Sequence, residues 1–238
     1  MVDHSSLGIR NLSDRLVDVL RDFIVSGAIE PELPIRQDAI AADLRVSKIP
    51  LREALARLEQ DGLVISQPNR GFFVRPMTPE EAEEIYALRL KLEPDAAAEA
   101  CLIATGADHE VARHALAAFD IDAAAYKPTV GALNRAFHLA LVKPGGNRIT
   151  TSIVERLHVL ADRYVRKHLE PQGRVPRAEA EHHEMLDAWM GRKDARVRQL
   201  IREHLDGTLG DLRAVLREQP APRATKTANR KKKAPARS

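Results

Sequence analysis

The chain has 238 residues, 44% of them apolar, 30% charged and 4% aromatic; this length suits two modest domains, and the Ala, Leu, Arg and Glu excess favours helices and argues against an all-β sandwich or barrel. A single cysteine, Cys101, excludes an internal disulfide, no charged segment followed by an apolar one opens the chain, and no apolar run reaches membrane-spanning length, so a reducing cytoplasm is the expected compartment. The net charge of +3 is unevenly spread: residues 219–238 carry seven basic residues and no acid, which leaves 30 basic against 34 acidic residues elsewhere.

Residues 1–10 carry no helical pattern and are expected to be a flexible N-terminus. Leu12, Leu16, Val19, Leu20 and Phe23 then recur at helical spacing before Gly27, which predicts a helix over 13–26. Pro31 and Pro34 interrupt the chain, and Ile40, Ala41 and Leu44 give a two-turn helix over 38–44. Ser47 is a suitable N-cap and Pro50 fits a first turn, so Leu51, Leu55 and Leu58 form the apolar stripe of a third helix over 48–61. Leu63–Ser66 and Phe72–Arg75, on either side of a turn-rich Gln67–Gly71, predict a short β-hairpin. Three helices and a hairpin over residues 11–76 make a winged helix-turn-helix, with the third helix placed to enter a major groove. Its nine basic and ten acidic residues nearly cancel, but Arg45, Lys48, Arg52 and Arg57 cluster on the third helix and Arg70 and Arg75 flank the hairpin.

After Pro76 the pattern becomes helical throughout. Thr78-Pro79-Glu80-Glu81 is an N-cap, a first-turn Pro and first-turn acids, and helices are predicted over 79–104, 108–125, 129–142, 147–169, 176–191 and 193–217. Pro94 is expected to kink or split the first of these. The fold class is therefore mostly α: an N-terminal winged helix-turn-helix and, over 77–218, an antiparallel all-helical bundle with short loops. The tail, 219–238, is rich in Pro, Ala and Lys and is expected to be disordered. It either solubilises the chain or adds sequence-independent attraction to polyanions.

In the bundle His138, His182 and His204 fall on apolar faces of three different helices, either as core histidines or as a convergent metal site. His4, His109, His114, His158, His168 and His183 are expected at surfaces or boundaries.

The stretch Leu44–Val64, with Val46-Ser-Lys-Ile-Pro-Leu-Arg-Glu-Ala-Leu at its centre, resembles the recognition segment of GntR-type bacterial transcription regulators, and Pro68–Val74 resembles their wing. The resemblance implies DNA contacts from Arg36, Ser47, Lys48 and Arg52, with Arg70 in the wing and Gly71 admitting close approach of its backbone to the duplex. The chain departs from the family pattern at Lys48, where Arg is usual and where Lys lacks the bidentate fork for guanine, at Ile49, where Thr is usual, and at Pro31-Glu32, where Pro-Gly is usual. Arg89-Leu-Lys-Leu-Glu93, Phe137-His138, Gly146-Asn147, Glu181–Ala188 and Glu203-His204-Leu205 resemble the FCD effector domain of the FadR subgroup. This implies a homodimer that binds double-stranded operator DNA and a small organic acid, with a divalent metal such as Zn or Ni on His138, His182 and His204.

The family's aspartate position is Asn134 here, which offers a carbonyl oxygen without charge. Arg89 is the candidate partner for an effector carboxylate, or else pairs with Glu93 one turn on. Two other functions fit parts of the pattern: a metal-dependent hydrolase using the three histidines with Glu181 or Glu184 as base, and a nucleoid-type protein that coats DNA without sequence preference.

Overall fold

The apolar spacing of the first segment produces α1 (Leu12–Val25), whose Leu16, Leu20 and Ile24 are buried against α3 (Lys48–Gln60). The computed structural model describes residues 12–217 apart from 30–32, 126, 128, 170 and 172; the expected flexible N-terminus, Pro31-Glu32 and the basic tail lie outside the described residues. The short α2 (Gln37–Asp43) also packs on α3, and Leu51, Ala54, Leu55 and Leu58 complete a small core closed by Leu63, Val64 and Val74. Strands β1 (Val64–Gln67) and β2 (Gly71–Val74) pair antiparallel, Val64 opposite Val74 and Gln67 opposite Gly71. The tight turn places Asn69 and Gly71 at positive φ, a conformation glycine adopts without strain. The hairpin begins and ends within a residue of the predicted strands.

Six helices follow among the described residues: α4 (Pro79–Ile103), α5 (Gly106–Ala124), α6 (Val130–Val142), α7 (Arg148–Leu169), α8 (Arg174–Met190) and α9 (Asp194–Arg217). Thr78 caps α4 as expected, its hydroxyl accepting from the Glu81 amide at 3.1 Å. Two local expectations are corrected. Pro94 does not split α4, because Glu93, Pro94, Ala96, Ala97 and Ala98 are all buried, and packing over this stretch outweighs the one backbone hydrogen bond a proline removes. Helix α5 starts two residues early because Thr105 and Asp108 form a reciprocal capping box.

Helix α4 packs chiefly on α9 and α7, α6 bridges α5 and α7, and α8 closes the bundle against α9 and α5. Trp189 anchors the core, fully buried with its indole N–H donating to the Leu141 carbonyl at 3.0 Å. Gly131 lets α6 lie directly on α7: a Cβ there would stand 2.7 Å from the Asp162 carbonyl oxygen. The winged helix rests on α7, where Arg156 donates to the Gln60 carbonyl at 3.0 Å and Leu160 approaches Gly62. No helix among the described residues is long and apolar enough to cross a membrane.

Candidate functional site

In the winged helix the side chains singled out for DNA contact are exposed, and Gly71 is half-buried. Arg36, Ser47, Lys48, Arg52 and Arg70 are exposed, as is Ile49 at 71%. Ser47 sits at the N-cap of α3 but its side chain makes no capping hydrogen bond, contrary to the capping role its residue type suggests; the hydroxyl faces solvent. Lys48 pairs with Asp38 of α2. Arg70 stacks over Phe73, 5.2 Å from the ring centroid, and donates to Gln67 at 2.8 Å. The acids of α3 are engaged: Glu53 accepts from Ser13 at 2.7 Å and Glu59 from the Ser66 amide at 2.8 Å. Of the predicted basic cluster Arg57 pairs with Asp14 on α1, and of the two arginines flanking the hairpin Arg75 pairs with Glu81 on α4.

The bundle gathers the histidines its periodicity implied. His138 from α6, His182 from α8 and His204 from α9 are all buried, and their ligand nitrogens come within 4.8 Å of one another. The ring centroids of His182 and His204 are 4.8 Å apart, and His138 stands 5.3 Å from each. Phe119 and Phe137 wall the His182 ring at 4.7 and 4.9 Å. Both nitrogens of His182 are buried without a hydrogen-bond partner, a costly arrangement for a polar ring in an apolar wall. Burial, reinforced by the neighbouring His204 and His138, holds His182 well below the ordinary imidazole range, and burial lowers His138 to about 4. Both rings are therefore neutral at pH 7, the form that ligates metal.

Carboxylates stand behind two of the rings. His204 Nδ1 meets Glu181 at 2.6 Å, and His138 Nδ1 lies 2.5 Å from Glu93 Oε1 but outside hydrogen-bond alignment. Such outer carboxylates orient metal-binding imidazoles. Asn134 is buried one turn before His138 on the same helix. Two buried imidazoles with orphaned nitrogens, His138 and His182, beside the buried His204 ring fit a borderline-soft divalent metal.

Two residues of this centre escaped sequence reasoning. His158, expected near a surface, is buried on α7 with Nε2 3.1 Å from Glu93 and 3.2 Å from Arg89. Its signal was present, since Val154, His158, Ala161 and Val165 follow one helical stripe. Glu93 is the hub: burial pushes its carboxyl upward, but Arg89, His158 and His138 together outweigh this and hold it well below the usual carboxylate range. With His138 and His158, Glu93 forms a second group of possible metal ligands. Arg89 is 1% exposed and donates to Glu93 from Nε at 3.0 Å, so the ion pair one turn on is the contact formed. His168 is likewise buried, 3.4 Å from Asp211, because the end of α7 is covered by α8 and α9. Of the bases considered for hydrolysis, Glu181 is engaged by His204 and Glu184 by Arg196.

The FCD domain family matches residues 84–207, more than half the chain, and the gntR family of bacterial regulatory proteins matches residues 12–74. The chain belongs to the FCD-containing GntR regulators. The Nta operon transcriptional regulator of Aminobacter aminovorans is 34% identical over 137 residues, 56% of this chain and 65% of that protein, just under two thirds of its length. The HTH-type transcriptional repressor GlaR of Escherichia coli (strain K12) is 27% identical over 197 residues, 78% of this chain and 89% of the repressor. The solved structure of E. coli McbR/YncC superposes with a TM-score of 0.73 over 86% of this chain and 98% of its own at 22% identity, which shows a shared fold alone. These GntR relatives are regulators rather than enzymes, which decides against the hydrolase reading.

Proposed function

We propose that the chain is a homodimeric, cytoplasmic regulator whose winged helix binds a palindromic operator and whose bundle senses a small organic acid beside a divalent metal. The observation that carries this reading is the pair of orphaned nitrogens on buried His182, facing His138 and His204. These three histidines would hold the metal, with Asn134 supplying a neutral oxygen from the preceding turn of α6. A metal bound there provides positive charge that attracts a carboxylate. Glu181 orients the His204 ring, Glu93 stands beside His138, and Phe119 and Phe137 pack on His182. Arg89 faces this centre through Glu93 and His158, so an effector carboxylate that reaches it exchanges for part of that ion pair.

The DNA contacts assigned to Arg36, Ser47, Lys48, Arg52, Arg70 and Gly71 are supported by the exposure of the five side chains and by the place of Lys48 and Arg52 on α3 and of Arg70 and Gly71 in the hairpin. A single helix-turn-helix reads only a few base pairs, so two copies of the winged helix are needed for tight specific binding. We assign dimerisation to 77–218, the winged helix being residues 11–76 and the tail 219–238 an accessory polyanion contact. Native mass spectrometry with elemental analysis of the purified full chain tests the reading. A dimer that retains Zn or Ni and a small acid is expected, whereas a metal-free chain after reconstitution leaves the histidines as direct effector partners only. Sequence-independent DNA binding would instead favour a nucleoid role.

A further inference from the structure

We propose that Ile49, in the first turn of α3, is a specificity residue that reads a thymine through its C5-methyl group; the inference rests on the operator reading above and names one base that the operator must carry. Ile49 is 71% exposed, the most exposed large apolar side chain of the winged helix among the described residues. It is no part of the module's core. Leu51, Ala54, Leu55 and Leu58 turn inward from α3, and at about 3.6 residues per turn Ile49 lies on the opposite side of the helix, in line with exposed Ala56 two turns on.

The residues beside Ile49 suit a duplex. Ser47 and Lys48 precede it and Arg52 follows three residues on, all exposed, so a hydroxyl and two cations able to engage phosphates and base edges flank the apolar group. Lys48 pairs with Asp38, but both side chains are exposed, and an ion pair in water is weak enough for a duplex phosphate to take the lysine. Glu53, one turn after Ile49, accepts from Ser13 of α1 at 2.7 Å. The first turn is also the part of a recognition helix that reaches base edges.

An isoleucine side chain neither donates nor accepts a hydrogen bond. The major-groove edges of guanine, adenine and cytosine present acceptors and amino donors, and thymine alone adds a methyl group. Contact between that methyl and Ile49 takes apolar surface of both partners out of water. A polar base edge set against Ile49 loses hydration and gains no partner, so the same side chain that favours thymine penalises the other bases.

Deoxyuridine lacks only the methyl of thymidine and keeps its hydrogen-bonding groups, so exchanging one for the other isolates the contact. A duplex is selected from a random library by the full-length protein, each of its thymines is replaced singly by deoxyuridine, and binding is titrated at one salt concentration. Wild type is expected to lose about fourfold at one thymine of each half-site, the size of one buried methyl. Ile49→Ser should bind the parent and that deoxyuridine duplex alike, and Ile49→Val should keep most of the discrimination. Equal binding of every deoxyuridine duplex by wild type overturns the proposal and leaves the operator reading standing, as does a loss that persists undiminished in Ile49→Ser. Selection of no sequence overturns the operator reading and this inference with it. Because Ile49 lies outside the core, thermal unfolding of Ile49→Ser is expected to match wild type; should it fold poorly, Ile49→Gln, a better helix former, carries the same comparison with the same outcomes.

Discussion

The winged helix and the bundle place their polar chemistry on opposite sides of the surface. In the first module the core is apolar, Leu20, Leu51, Leu55 and Leu58 being fully buried, and the candidate contact side chains are exposed. In the second, Arg89, Glu93, His138, His158, His182 and His204 are buried among Phe119, Phe137 and the helix backbones. An exposed group keeps its hydration and makes few demands on its neighbours. A buried one must find a partner in the fold or in a ligand, so its orphaned atoms mark what the protein is built to receive.

The largest effect that tests this contrast is loss of the bundle's anchor. Trp189→Ala removes a fully buried ring and its bond to the Leu141 carbonyl, and is expected to cost about 3 to 5 kcal/mol in urea unfolding. A smaller and more telling change is His182→Leu. In chelator-treated protein it should be neutral or stabilising, because it removes two unpaired buried nitrogens. With Zn(II) at one hundred times its Kd, by contrast, wild type should gain about 2.7 kcal/mol that the variant lacks. Calorimetry with and without metal separates the two, and an equal response of both proteins to Zn(II) removes the histidines from metal binding.

On the exposed side, Arg52→Ala should leave stability nearly unchanged and cost about 1 to 3 kcal/mol of operator binding, concentrated at one base position. Binding assays on operator variants check this; equal loss on random DNA would reassign Arg52 to the phosphates. The smallest effect is the pH dependence between about pH 7 and 6. Burial lowers His158 and His168 to about 3, so the folded state stays neutral while the unfolded chain takes up protons near 6.5. Stability of the metal-free protein should therefore fall as pH falls. Asp162, raised to about 6 chiefly by burial, takes up a proton earlier in the folded state than the unfolded and partly offsets the loss. His168→Phe should flatten the slope in denaturation measured across this range.

Legibility follows the same division. Caps, breakers and apolar stripes are local signals, and Thr78-Pro79, Gly27 and the leucines of α3 placed the helices to within a residue or two. The faces of His138, His182 and His204 were equally readable, since a residue's position on a helical stripe depends only on its neighbours in the chain. Residue order alone therefore determined the element sequence, the winged helix followed by a helical bundle, and the inward turn of His138, His182 and His204, whereas the burial of His158 and His168 came as a correction. The tertiary structure decided which of them meet. It brought Glu93 and His158 together across α4 and α7, directed Arg89 onto Glu93, and paired Arg57 of the basic cluster with Asp14 and Arg75 beside the hairpin with Glu81. Periodicity specifies the direction a side chain takes from its own helix, whereas its partners depend on how the helices pack, and that packing is set by contacts between residues far apart in the chain.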